Sequence, residues 1–193
     1  DWSSDVCSSD LSPGWNNGSG AVTWGDGATG ISGVTSSSNS LVGGGYGYVT
    51  ALSNGNYVVS NPGWNSRRGA VTWGNGATRV SGEVSSSNSL VGSMNSDLLG
   101  FDSLGSSITA LSNGNYVVVS SGWDNGSVTN AGAVTWGSGS TGVHGQISSS
   151  NSLVGSTSGD QLGYYDDGTG VRVLSNGNYL VRSLIWDNGG ATN

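Results

Sequence analysis

Residues 50–59 read TALSNGNYVV, and the block LSNGNYVV returns at 111–118 and, as LSNGNYLV, at 174–181. Each copy sets an Asn-Gly pair (Asn54-Gly55, Asn113-Gly114, Asn176-Gly177) between runs of β-forming residues. That arrangement predicts a tight hairpin with a two-residue type I′ turn, glycine supplying the left-handed backbone. A hairpin makes its strands antiparallel, whereas the coils of a parallel β-helix join strands that all run one way. Pairing across a two-residue turn sets Leu52 with Tyr57 and Thr50 with Val59 on one face, and Ala51 with Val58 on the other. Both faces are then largely apolar, so the hairpin needs cover on both sides, as sheets stacked on sheets provide.

Outward from the hairpin, two further blocks travel with it. GAVTWG begins at Gly20, Gly69 and Gly132, and SSSNSLVG at Ser36, Ser85 and Ser148. Trp73 to Trp136 and Leu90 to Leu153 are the same step, giving a period of about sixty residues, enough for four strands of ~5–6 residues with their turns. GAVTWG reads as one strand and ISGVTSSSNSLVG as the region of the fourth. The first copy is shorter between Leu41 and Leu52 and the second between Trp64 and Trp73, so the approximate units are 12–51, truncated, 52–110, 111–173 and 174–193, incomplete. The expected fold is all-β: antiparallel four-stranded blades stacked as part of a β-propeller, with a β-solenoid or a β-sandwich-like array as alternatives. The chain reads as a fragment of a longer array.

Composition agrees. Glycine, serine and asparagine make up nearly half of the 193 residues, and only 9% are charged; a helix-rich domain is excluded, since these three are poor helix-interior residues. Eight Trp and seven Tyr, placed among valines, supply apolar surface that a disordered chain lacks. A net charge of −7, with arginine as the only basic residue type, offers no electrostatic footprint for nucleic acid. No window approaches a membrane span. Residues 1–11, DWSSDVCSSDL, share nothing with the repeats and resemble the conceptual translation of a short-read sequencing adapter. They hold Asp1, Asp5, Asp10 and the single cysteine, Cys7, so without them the net charge is −4 and no thiol chemistry is expected.

The run from Asp97 to Gly137, with D-x-x-G, a strand, NGN, YVVVS and then GAVTWG, resembles the FG-GAP blade of integrin-type propellers. The wording of the repeat across residues 12–193 resembles arrays in large bacterial surface proteins of the filamentous haemagglutinin type. That resemblance implies an exported, cell-surface, adhesin-like repeat region and supplies no catalytic residue. FG-GAP blades often hold calcium in a loop of alternating Asp and Asn, but here the turn Ser112-Asn113-Gly114-Asn115-Tyr116 has no acid. No metal or other cofactor is expected.

No enzymatic constellation is present in the sequence. His144 is the only histidine and stands where the other copies have Ser32 and Ser81, and Glu83 is the only glutamate. Glycine strings such as Gly25-Asp26-Gly27 read as turns. The repeated acids Asp97 with Asp160 and Asp124 with Asp187 read first as turn residues that accept backbone N–H bonds. Trp24, Trp73 and Trp136 read as strand core. Trp15, Trp64, Trp123 and Trp186 stand in loops beside Asn or Asp, where packing between blades competes with stacking on a sugar. With Asp124 and Asp187 they are the candidate ligand contacts. The function expected is a non-enzymatic, multivalent or structural segment of a secreted or surface adhesin, meeting host or cell-surface glycan or protein and its own neighbouring repeats. A lectin-like module is the alternative.

Overall fold

The computed structural model describes residues 19–45, 47–102, 105–166 and 170–187. Residues 1–11 and Trp15 therefore lie outside the described residues. The strands in chain order are β1 (Ala21–Thr23), β2 (Ser40–Val42), β3 (Tyr48–Ala51), β4 (Tyr57–Asn61), β5 (Ala70–Gly74), β6 (Gly82–Glu83), β7 (Ser89–Val91) and β8 (Phe101–Asp102). There follow β9 (Gly105–Ser106), β10 (Ile108–Ala110), β11 (Tyr116–Ser120), β12 (Ala133–Gly137), β13 (Gly145–Gln146), β14 (Ser152–Val154), β15 (Val171–Val173) and β16 (Tyr179–Val181). The fold is all-β. Two copies form full antiparallel sheets, β3-β4-β5-β7 and β10-β11-β12-β14, and the flanking copies supply β1-β2 and β15-β16.

Each hairpin forms where the Asn-Gly pair stands, but not as a type I′ turn. Gly55 N–H donates to the Leu52 carbonyl at 3.1 Å and Leu52 N–H to the Asn56 carbonyl at 2.8 Å, and only the glycine is left-handed, at φ +83°. This is the three-residue loop in which a turn is followed by a bulged glycine. Leu111 and Leu174 repeat it. The extra loop residue moves the register by one, so Ala51 pairs with Tyr57 and Thr50 with Val58. Leu52 consequently packs with Val58, not with Tyr57 and Val59, as a one-residue slip must cause.

Both faces of each full sheet are apolar, and successive sheets cover them. Val58, Val71 and Leu90 of the second sheet meet Tyr116, Val118 and Ala133 of the third in one core. Val59, Ala70 and Val91 face back to Leu41 and Val22 of the first sheet. Val117 and Val134 face forward to Val171 and Val181 of the fourth. Equivalent residues thus point the same way along the stack in every copy.

A further link was not expected from the sequence. The region preceding SSSNSLVG does not extend the fourth strand of its own sheet. Its two residues Gly82–Glu83 instead pair in parallel with Leu41–Val42 of the sheet before, and Gly145–Gln146 do the same with Leu90–Val91. The first sheet is thereby stitched to the second, and the second to the third, by backbone as well as by packing.

The GAVTWG block is now legible letter by letter. Gly69 and Gly132 are left-handed and lie against the backbone of Leu99 and Leu162, where a side chain has no room. Alanine faces the preceding sheet and valine the next. Thr72 and Thr135 hydrogen-bond across the strands to Ser89 and Ser152, at 2.7 and 2.6 Å. The closing Gly74 and Gly137 seat the rings of Tyr57 and Tyr116 from the neighbouring strand.

Stacking makes the same leucine worth different amounts in different copies. Leu90 is fully buried, whereas its equivalent Leu153, on the forward face of the third sheet, is 57% exposed. Leu90→Ala is expected to cost about 2–5 kcal/mol, and Leu153→Ala, measured in dilute solution, under about 0.5 kcal/mol. Denaturant melts of the two variants check this, and equal losses would contradict the assignment of faces.

Candidate functional site

The repeated polar side chains converge on the joints between sheets. The carbonyl of Gly139, in the turn after β12, accepts from three donors of the preceding copy. These are Asn54 Nδ2 at 2.8 Å, Asn56 Nδ2 at 2.7 Å and the Trp73 indole N–H at 3.0 Å. One copy earlier, the Trp24 indole donates to the Gly76 carbonyl at 3.0 Å. None of Trp24, Trp73 and Trp136 is fully buried in a core, although Trp73 packs against the one between the second and third sheets. Trp24 and Trp73 are half-buried braces reaching forward to the next copy, and Trp136 is 47% exposed. Hydrogen bonds of this kind let a polar chain hold its joints with little apolar mass.

Trp64 and Trp123 point backward. Trp123 is 2% exposed and belongs to the core between the second and third sheets. Its ring faces are occupied by protein, so it is corrected as a sugar-stacking candidate. Trp64 packs on the core between the first two sheets and donates its indole N–H to the Val84 carbonyl at 3.1 Å, but stays half-buried. Trp186 is 45% exposed.

The acids act on backbone. Asp97 Oδ2 accepts from the N–H groups of Ser93 and Met94, both at 2.7 Å, and its Oδ1 accepts from Asp124 N–H of the following copy at 3.1 Å. Asp160 repeats the pattern with Ser156, Thr157 and Asp187. Asp124 itself closes its loop by accepting from Asn130 N–H at 2.7 Å. Asp124 and Asp187 thus supply backbone N–H groups to this clamp, and Asp124 also lends its carboxylate to its own loop. Asp26 and Asn75 cap the Gly-rich turns, each accepting from two backbone N–H groups. Among the described residues no three His, Cys, Asp or Glu side chains gather as a metal site would require, and no helix is long and apolar enough to cross a membrane.

One concave surface stands apart from this framework. A groove of about 390 Å³ is lined by Trp64, Asn65, Arg68, Ser86, Val91 and Gln146, among others. Here the first copy lacks the acid that would correspond to Asp97, and the loop after Trp64 is four residues shorter than that after Trp123. The short loop turns tightly, with Asn65, Ser66 and Arg67 all left-handed at φ +46°, +59° and +66°. Such backbone costs non-glycine residues energy and is most often retained where it serves a site. Of these residues Trp64 is a candidate ligand contact from the sequence, whereas Gln146, arriving from the next copy, carries no sequence signal.

A family model matches residues 11–47, 51–101, 110–164 and 173–193, and its description is "Repeat of unknown function (DUF5650)". The chain belongs to this repeat family. No curated protein and no solved structure matched the chain. The four matched segments correspond to the four copies, each containing or adjoining one of the sheets just described.

The two clamp carboxylates are expected to titrate apart. Both are nearly shut off from solvent, 3% and 1% exposed. Asp97 lies deep between two sheets, and burial pushes its carboxyl up despite its N–H donors. At Asp160 burial also raises the carboxyl, but the N–H groups of Thr157, Ser156 and Asp187 together outweigh that and set it low. By linkage, a raised carboxyl contributes stability below its unfolded value of 3.8 and loses it as pH rises through the folded value. A lowered one contributes above 3.8 and loses its contribution as pH falls through the folded value. Carboxyl-carbon NMR should place the Asp97 midpoint above that of Asp160; the reverse order would contradict these environments.

Proposed function

We propose that the chain is a non-enzymatic repeat segment of a large secreted or surface-exposed bacterial protein of the adhesin type, serving structural extension and multivalent attachment. The observation that carries the proposal is the use made of the repeated polar side chains. The asparagines at 54 and 56, Trp73 and the Asp97 and Asp160 clamps are all engaged in joining one copy to the next. A unit built to be joined suits a protein that gains reach or avidity from number. The FG-GAP-like and haemagglutinin-type resemblances of the sequence agree with this reading, and a gentle curvature of the stack into a propeller-like arc belongs to it.

The groove at Trp64 favours a second reading, a carbohydrate-binding module. A half-buried indole flanked by Asn65, Arg68 and Gln146 combines an apolar face with amide and guanidinium donors, the usual makings of a small polar-ligand site. Among the described residues the left-handed loop after this tryptophan occurs in the second copy alone.

A glycan array run with the chain and with Arg68→Ala separates the two. The lectin reading expects specific glycan signal that falls at least tenfold in the variant. The structural reading expects no glycan signal from either protein, together with stepwise unfolding, copy by copy, when the chain is pulled. Glycan signal unchanged by the variant would remove the Trp64 groove from consideration.

A further inference from the structure

Two departures from the repeat meet at the Trp64 groove. In the third copy the loop after the tryptophan is held by the copy before it, Asp124 N–H donating to Asp97 Oδ1 at 3.1 Å and the Ser93 hydroxyl to the Asp124 carbonyl at 3.3 Å. Trp123, behind this clamp, is 2% exposed. The first copy is ten residues shorter between Leu41 and Leu52 than the second is between Leu90 and Leu111, and carries no acid there. Asn65 therefore lacks the clamp that holds Asp124, and Trp64 stays half-buried as the apolar wall of the groove.

The second departure is a charge. Counting back from Gly69 and Gly132, Arg68 stands where the third copy has Ala131, which is fully buried. The backbone is alike at both, the Arg68 carbonyl accepting from Leu99 N–H at 3.1 Å and the Ala131 carbonyl from Leu162 N–H at 3.0 Å. The guanidinium is thus an addition to an unaltered frame. Its Nε donates to Asn95 Oδ1 at 3.3 Å, which leaves both terminal nitrogens as a fork of donors. Among the described residues no carboxylate pairs with it, and it is the only charged side chain lining the groove. A half-buried cation left without an acid partner, in a chain of net charge −7, is matched by an anion that a ligand brings.

We infer that the Trp64 groove takes a sugar that bears a carboxylate, a uronate or sialate unit, with Arg68 holding the acid and Trp64 the ring. This rests on the carbohydrate-binding reading above and adds to it the class of ligand. A sugar ring has an apolar face and a rim of hydroxyls; the indole meets the first, and the Asn65 and Gln146 amides with the Ser86 hydroxyl meet the second. The planar fork of Arg68 matches a planar carboxylate through two parallel bonds, and the single cation in the lining matches a single negative charge. At about 390 Å³ the groove lies near the small end of ligand pockets, of a size for roughly one or two sugar rings.

Titration calorimetry of the 193-residue chain tests this with matched pairs of sugars: digalacturonate and its dimethyl ester, cellobiouronate and cellobiose, sialyllactose and lactose. At least one acid sugar is expected to bind about tenfold or more tighter than its neutral counterpart, and to weaken as salt is raised. Arg68→Ala, which copies the third repeat, and Arg68→Gln should keep the parent's circular dichroism spectrum and lose the preference. Equal binding of acid and neutral sugars would overturn the inference while leaving a lectin in place. So would a preference that survives in both variants, or a glutamate tripeptide that binds as tightly as the acid sugars, since the carboxylate alone would then be read. Silence from all three pairs overturns it as well. A glycan array that is then silent takes the carbohydrate-binding reading with it, whereas array signal from another glycan leaves that reading standing.

Discussion

Every full sheet in this protein has two apolar faces, and that constraint governs the rest. A sheet with one wet face can end a structure; a sheet with valine or leucine pointing both ways, as at Val58 and Val59, cannot. Its stability is a property of the pair it forms with each neighbour, as expected where unit and interface terms add along one dimension. The three cores lie between sheets and not within any one copy.

The chain holds those interfaces with unusually little carbon. Side chains are short, so backbone segments approach closely, and glycine is required where they touch, as at Gly69 against Leu99. Direction and spacing are then fixed by hydrogen bonds. The Gly139 carbonyl gathers three donors from the copy before it, Asn88 caps the Ser85 turn through its side-chain oxygen, and Thr72 with Ser89 replaces an apolar pair inside the sheet. A buried polar pair that is fully satisfied costs little and admits few alternative registers. The described joints are made by amide, hydroxyl, indole and carboxylate groups bonded mostly to backbone, which suits a sequence of low charge.

Much of this was legible in the sequence, and the failures have physical causes. The hairpins, the antiparallel sheets and the need for cover on both faces follow from Asn-Gly pairs set among β-formers. The register did not, because whether Asn-Gly closes a two- or a three-residue loop depends on the Leu52 N–H bond to Asn56, which composition does not encode. The parallel stitch of Gly82–Glu83 was invisible: two residues carry no periodicity, and their partner lies in another copy. Trp73 and Trp123 were each placed by neighbours a full copy away, and alternation within a strand does not report those. At the groove, the shortened loop was visible as a length difference, but the left-handed turn it adopts and the arrival of Gln146 were not.

Hydrogen exchange read strand by strand, on dilute chain, tests the account most directly. If sheets are stabilised by neighbours on both faces, amides of β4, β5, β11 and β12 should exchange slowest. Those of β1-β2 and β15-β16, each covered on one face among the described residues, should exchange markedly faster. A single exchange rate shared by all four sheets would contradict it, because the chain would then be one closed cooperative unit and not a stack whose members depend on those beside them.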